Sequence, residues 1–148
     1  GLASINDLEN IRKLHSYGIE LIQYDYDRRN ALHIAAANGN VIVLNYLIHY
    51  ANQWDISEID NWGNSPLYEA CINNHENCVN SLLASNAKIN MNNEKTINIL
   101  GWAIISKKFG ILRLLYKSGA NFDAKDYDNR SIYDIASLNN IDLNNILS

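Results

Sequence analysis

Asp25-Tyr26-Asp27-Arg28-Arg29-Asn30-Ala31-Leu32-His33-Ile34-Ala35 and Asp126-Tyr127-Asp128-Asn129-Arg130-Ser131-Ile132-Tyr133-Asp134-Ile135-Ala136 are two copies of one phrase. They share Asp-Tyr-Asp at the head and Ile-Ala at the foot, at an offset of 101 residues. A third copy, Asp60-Asn61-Trp62-Gly63-Asn64-Ser65-Pro66-Leu67-Tyr68-Glu69-Ala70, fits between them, and a degenerate one runs from Asn93 to Ala103. The anchors Leu32, Leu67, Leu100 and Tyr133 are then spaced 35, 33 and 33 residues apart, so the offset is three repeats. Self-similarity at such a period marks a solenoid, in which each supersecondary unit buries its apolar face only against its neighbours.

Each copy reads the same way. An Asp- or Asn-led turn is followed by Asn30, Ser65, Asn98 or Ser131, side chains that accept from the free N–H groups of a helix start. Pro66 falls at the first helical position, where its missing N–H costs nothing. The short helix ends near Gly39, Asn74 or Asn140, residue types that tolerate a left-handed backbone. A second helix follows over Val41–Tyr50, Asn77–Ser85 and Gly110–Lys117. Its apolar residues recur at helical spacing (Val43, Leu44, Leu47, Ile48; Ile111, Leu112, Leu114, Leu115), and Asn86 or Gly119 closes it. The fourth copy, Asn98-Ile99-Leu100-Gly101, has no hairpin glycine, and extra residues around Gln53-Trp54-Asp55 imply a bulged exit loop. The expected fold is all-α, a helix-turn-helix solenoid of four to five repeats with almost no strand. The divisions are a partial repeat over 1–23, repeats over 24–58 and 59–91, a degenerate repeat over 92–124 and a capping repeat over 125–148. Leu2–Leu8 align with Ala103–Phe109, inside a first helix, which suggests excision from a longer protein. Asn144-Asn145 stands where apolar residues belong, which reads as a polar end.

The block Asn30-Ala31-Leu32-His33-Ile34-Ala35, with Ser65-Pro66-Leu67-Tyr68-Glu69-Ala70, resembles the T-P-L-H-x-A signature of the ankyrin repeat. The turn Asn38-Gly39-Asn40 and the exit Ser118-Gly119-Ala120-Asn121 match that family too. The resemblance implies that His33 bonds backbone between neighbouring loops. It also implies that the hairpin tips and the open positions of each first helix share one concave face. Those slots hold Tyr26, Asp27 and Arg29; Asn61, Trp62 and Asn64; Glu94, Lys95 and Ile97; Tyr127, Asp128 and Arg130. Tyr, Trp and Arg are enriched at interface hot spots. Tip aromatics that stack on the next hairpin are the structural alternative, and for Trp62 binding is the preferred reading.

The remaining sequence restricts function by what it lacks. Apolar residues make up 47%, which argues against disorder. The net charge of −4 is not that of a nucleic-acid binder, and no apolar run approaches the roughly 20 residues of a membrane span. Asn occurs 24 times and Ile 20 times, which reads as codon bias. Cys71 and Cys78 do not make a disulfide scaffold. They fall on apolar helix positions and read as reduced core residues in a cytoplasmic, reducing compartment. Cys71-x3-His75-x2-Cys78 offers three soft donors, but a zinc site needs a fourth ligand and convergent side chains, so no metal is expected. No nucleophile elbow, phosphate loop or H-E-x-x-H occurs. The expected function is a non-catalytic, cofactor-free protein-interaction module, monomeric in isolation, with a protein partner, no nucleic acid and no membrane insertion. A narrower resemblance adds an alternative. Asp25–Ala37 and Asp60–Ala70 are similar to stretches in C-terminal ankyrin modules of glutaminases and asparaginases, and to a run in plant potassium channels. That resemblance implies an assembly or regulatory domain of an amidohydrolase. A parasite or intracellular-bacterial effector that binds a host protein is the third class.

Overall fold

A computed structural model describes residues 9, 12, 26–49, 56–89 and 93–148 of the 148-residue chain. Among these lie eight helices: α1 Ala31–Asn38, α2 Val41–His49, α3 Pro66–Ile72, α4 Glu76–Ala84, α5 Asn93–Ile105, α6 Phe109–Lys117, α7 Ile132–Leu138 and α8 Leu143–Leu147. The described residues form no strand, only an isolated antiparallel bridge between Lys125 and Ser131 at the foot of one hairpin. The chain divides into two compact units, Gly1–Ala87 and Lys88–Ser148.

In the first unit α1 packs on α3, α2 on α4, and each first helix on its own second helix. The helices start where the capping residues stand. Asn30 and Ser65 accept from the backbone N–H three residues on, and Pro66 occupies the first turn of α3. The reversals are left-handed at Gly39, Asn74 and Asn86. Gly39 has a second reason to lack a side chain: a Cβ there would sit 2.5 Å from Nδ1 of His75. That ring is held by a hydrogen bond between Nε2 and the Ala37 carbonyl oxygen (3.0 Å). His75, which has no catalytic partner in the sequence, is thus a structural tie between the two helix-turn-helix reversals. The core is a layer of matched slots: Leu32 and Leu67 from the first helices, Val43, Leu44 and Leu47 against Cys78, Val79 and Leu82 from the second. Burying one such leucine contributes roughly 1.5–3 kcal/mol.

In the second unit α5 packs on α6 and α7, and α6 on α8. Leu100, Ile104, Ile111, Leu112, Leu115 and Ile132 are fully buried. Two expectations fail here. Asn98 caps nothing: α5 begins at Asn93, so Asn98 is an exposed mid-helix residue. The Asp-led turn is missing from this copy, and without it helix propagates through residues that all tolerate it. For the same reason Lys95 and Ile97 are helical, not tip residues, and Ile97 is buried; Glu94 is helical as well. At the end of the unit Tyr133 stands 47% exposed, whereas the aligned Leu32, Leu67 and Leu100 are 0–1% exposed. Asn144 and Asn145 are exposed and give their N–H groups to the Asp142 side chain, the cap of α8. The expected bulge at Gln53-Trp54-Asp55 and the partial helix at Leu2–Leu8 lie outside the described residues.

Candidate functional site

The hairpin tips share one local chemistry. In the second tip the Asp60 Oδ1 accepts from the N–H groups of Trp62 and Asn64, both at 2.9 Å. Asp60 N–H donates to the Asn64 carbonyl oxygen (3.0 Å), which closes the loop. The tip of residues 126–130 repeats every element: Asp126 Oδ1 accepts from the N–H groups of Asp128 and Arg130 at 2.9 Å each, and Asp126 N–H donates to the Arg130 carbonyl oxygen at 3.0 Å. Gly63 and Asn129, one residue before the end of each loop, are left-handed, as is Arg28 in the first tip. One carboxylate oxygen thus orders four residues by accepting from the backbone two and four positions on, an Asx-type turn. The sequence marks these organising residues only by the Asp at the head of each copy; they were not among the expected site residues.

Within the first unit the two tips are joined. Asn61 N–H donates to the Asp27 carbonyl oxygen (2.8 Å), and Asn61 Nδ2 donates to the Tyr26 carbonyl oxygen (3.1 Å). His33 reaches across as well. Its Nε2 faces the Asn64 carbonyl oxygen at 2.9 Å and so carries the proton, while its Nδ1 accepts from Asn30 N–H at 3.3 Å. The side chain bonds backbone between neighbouring loops, as the repeat signature implied. Asp134 fills the same slot in α7 and reaches back to Ser131 N–H with Oδ2 (2.8 Å). A histidine and an aspartate thus close the same kind of capping box.

These bonds sort the expected site residues into two groups. Asn61 and Asn64 serve the tips: Asn64 gives its carbonyl to His33 and its N–H to Asp60, and Asn61 bridges to the tip before it. Arg130 belongs with them, pairing with Asp126 Oδ2 (3.0 Å) and Asp128 Oδ2 (3.2 Å). Those contacts hold the Asp126 carboxyl below its ordinary 3.8, chiefly through the backbone N–H of Arg130. Asp27 and Arg29 are partly buried and Arg29 carries a buried Nε. The aromatic residues form the other group. Tyr26 is 101% exposed, Trp62 60% and Tyr127 92%. Among the described residues neither Tyr26 nor Trp62 stacks on another ring. Tyr26, Asp27, Arg29, Asn61, Trp62 and Asn64 lie together in the first unit; Tyr127, Asp128 and Arg130 lie in the second.

The cysteines are core residues. Both are free and buried, and burial pushes the Cys71 thiol up to about 12 and that of Cys78 up to about 11. His75, the third donor of the possible metal triplet, has its Nε2 at the Ala37 carbonyl. Among the described residues no group of three His, Cys, Asp or Glu side chains converges as a metal site would require, and no helix is long and apolar enough to cross a membrane.

Comparison with known proteins supplies the family. A model of ankyrin repeats spanning three copies matches residues 2–93 and 52–126. An L-asparaginase of Dirofilaria immitis is 28% identical over 138 residues, 90% of this chain and 22% of that protein. The mitochondrial liver-isoform glutaminase of Rattus norvegicus is 38% identical over 69 residues, 47% of this chain and 11% of that protein. A potassium channel, KOR2, of Oryza sativa subsp. japonica is 42% identical over 62 residues, 42% of this chain and 8% of that protein. The chain thus spans less than a quarter of the length of these relatives. Periodic helix pairs, Asp-organised hairpins and a family match across most of the sequence agree: the chain belongs to the ankyrin-repeat family of protein-interaction modules.

Proposed function

We propose that this chain is a non-catalytic module that grips a protein partner with its hairpin tips, using Tyr26 and Trp62 in the first unit and Tyr127 with Asp128 in the second. One observation carries the reading: three aromatic side chains stand more than half exposed on turns that are closed by hydrogen bonds of other residues. A turn of this kind needs only its Asp and a left-handed residue. Nothing in its geometry requires an aromatic at the following positions, and an aromatic side chain left exposed there offers apolar surface to a partner. Asp27, Arg29, Asn61, Asn64 and Arg130 shape and fix the tips. Buried, protonated thiols suit a reducing compartment.

The similarity to an asparaginase over 90% of this chain, with that to glutaminase, supports one narrower reading: the module assembles or regulates an amidohydrolase. The full-length reading frame tests it. An amidohydrolase domain on the same chain supports it, and a channel pore or an export signal removes it. An effector acting on a host protein is the reading an export signal would favour.

Hydrogen exchange tests the tip surface. With the partner that copurifies with the full-length protein, the amides of 26–30, 60–64 and 126–130 should gain protection. Protection confined to the second helices α2, α4 and α6 would reject it.

A further inference from the structure

The two units differ in charge. Residues 1–87 hold four Lys or Arg and ten Asp or Glu, whereas residues 88–148 hold eight and six. Within the second unit four of the six carboxylates build turns and caps. Asp126 and Asp128 hold Arg130, Asp134 closes the capping box of α7, and Asp142 caps α8. Lys107, Lys108, Arg113 and Lys117 fall within eleven positions, and no described carboxylate lies within ion-pair distance of any of the four.

Their arrangement follows from α6. Ile111, Leu112 and Leu115 are buried at 0–1% exposure and turn one side of the helix into the core. Arg113 and Lys117, one turn apart, therefore stand on the opposite side, and both are exposed. Lys108 is the N-cap of α6, and Lys107 is exposed in the left-handed turn before it. Arg113 is fixed in place, because its Nε donates to the Ile146 carbonyl oxygen of α8 at 2.8 Å. That leaves a cationic ridge of Arg113 and Lys117 on the solvent face of α6, with Lys107 exposed at the turn before the helix and Arg113 already ordered.

We propose that this ridge docks an acidic segment of a protein partner, separately from the aromatic tips. A lipid surface is disfavoured because the apolar stripe of α6 is buried in the core and cannot insert. A long nucleic acid is disfavoured because the chain that carries the ridge is acidic elsewhere and net −4 overall. A short anionic helix with carboxylates one turn apart matches the spacing of Arg113 and Lys117.

The test titrates a fluorescent peptide of about 12 residues, with Glu at every fourth position, into the chain by anisotropy, at about 50 mM and about 300 mM salt. Saturable binding is expected to weaken about tenfold at the higher salt, and about tenfold in Arg113→Glu and in Lys107→Glu/Lys117→Glu at low salt. The second variant leaves the Ile146 bond intact and so separates charge from folding. Lys125→Glu, a reversal in the same unit but off the ridge, should change binding less than about twofold. Equal binding by all variants, no binding by the native chain, or tighter binding of duplex RNA or of anionic phosphatidylserine vesicles than of the peptide would overturn the proposal. The aromatic-tip reading stands or falls separately, because Trp62→Ala should not alter peptide binding.

Discussion

Gly39 and Gly119 are both left-handed, yet they cannot respond alike to alanine. At either site a Cβ in the left-handed region costs about 1–2 kcal/mol. At Gly39 it would also meet the His75 ring at 2.5 Å, whereas at Gly119 nothing lies within 4 Å. Gly39→Ala should therefore destabilise by more than Gly119→Ala in denaturant melts, and His75→Ala should recover part of the difference. Equal losses would mean that the ring gives way freely. The thiols behave as single residues too. Burial favours the neutral form of Cys71 and Cys78, so the stability they contribute is present below their ordinary value of 9.0 and lost as pH rises through about 11 and about 12. At neutral pH a water-soluble maleimide should label the native chain slowly and the unfolded chain fast; rapid native labelling would place the thiols at the surface. Asp126 has the opposite sign. Its ionised form is held by Arg130, so the tip of 126–130 should stay ordered above 3.8 and loosen as pH falls through the lowered value. NMR of the Arg130 Nε–H reads that directly, and a signal lost already at neutral pH would contradict it.

Helices were legible where a capping residue stood beside a periodic apolar stripe. Asn30, Ser65 and Ser131 start α1, α3 and α7, and the left-handed closures fall at Gly39, Asn74, Asn86, Gly119 and Asn140. Helix α5 was not legible because a cap-like residue is ambiguous without its turn. Asn98 aligns with true caps, but the stretch before it has neither Gly nor Pro to stop helix from running back to Asn93. The tip chemistry was half legible. The aromatic residues could be named from the repeat, whereas the role of Asp60 and Asp126 depends on loop closure, which no sequence pattern displays. At this scale the energetic prediction concerns Leu67. It is buried at 1% on α3, which packs on both α1 and α4, so Leu67→Ala should cost about 2–5 kcal/mol in thermal or denaturant unfolding. A loss under about 1 kcal/mol would mean that the slot collapses or is not closed.

An array whose repeats touch only their neighbours separates stability from recognition. Within each unit the leucine and alanine slots hold the helix pairs together. In the first unit the hydrogen bonds between Asn61 and the tip before it set the spacing of Tyr26 and Trp62. Under the proposed function, variation at Tyr26, Trp62 and Tyr127 would change the partner and not the fold. An exposed tip aromatic should then matter for binding and not for folding. The most direct measurement is Trp62→Ala, titrated against the partner isolated with the full-length protein and melted in parallel. The predicted result is binding weakened by about 2 kcal/mol or more with stability changed by less than about 1 kcal/mol. A variant that melts much earlier yet binds normally when folded would contradict the account and make Trp62 a hairpin-stacking residue.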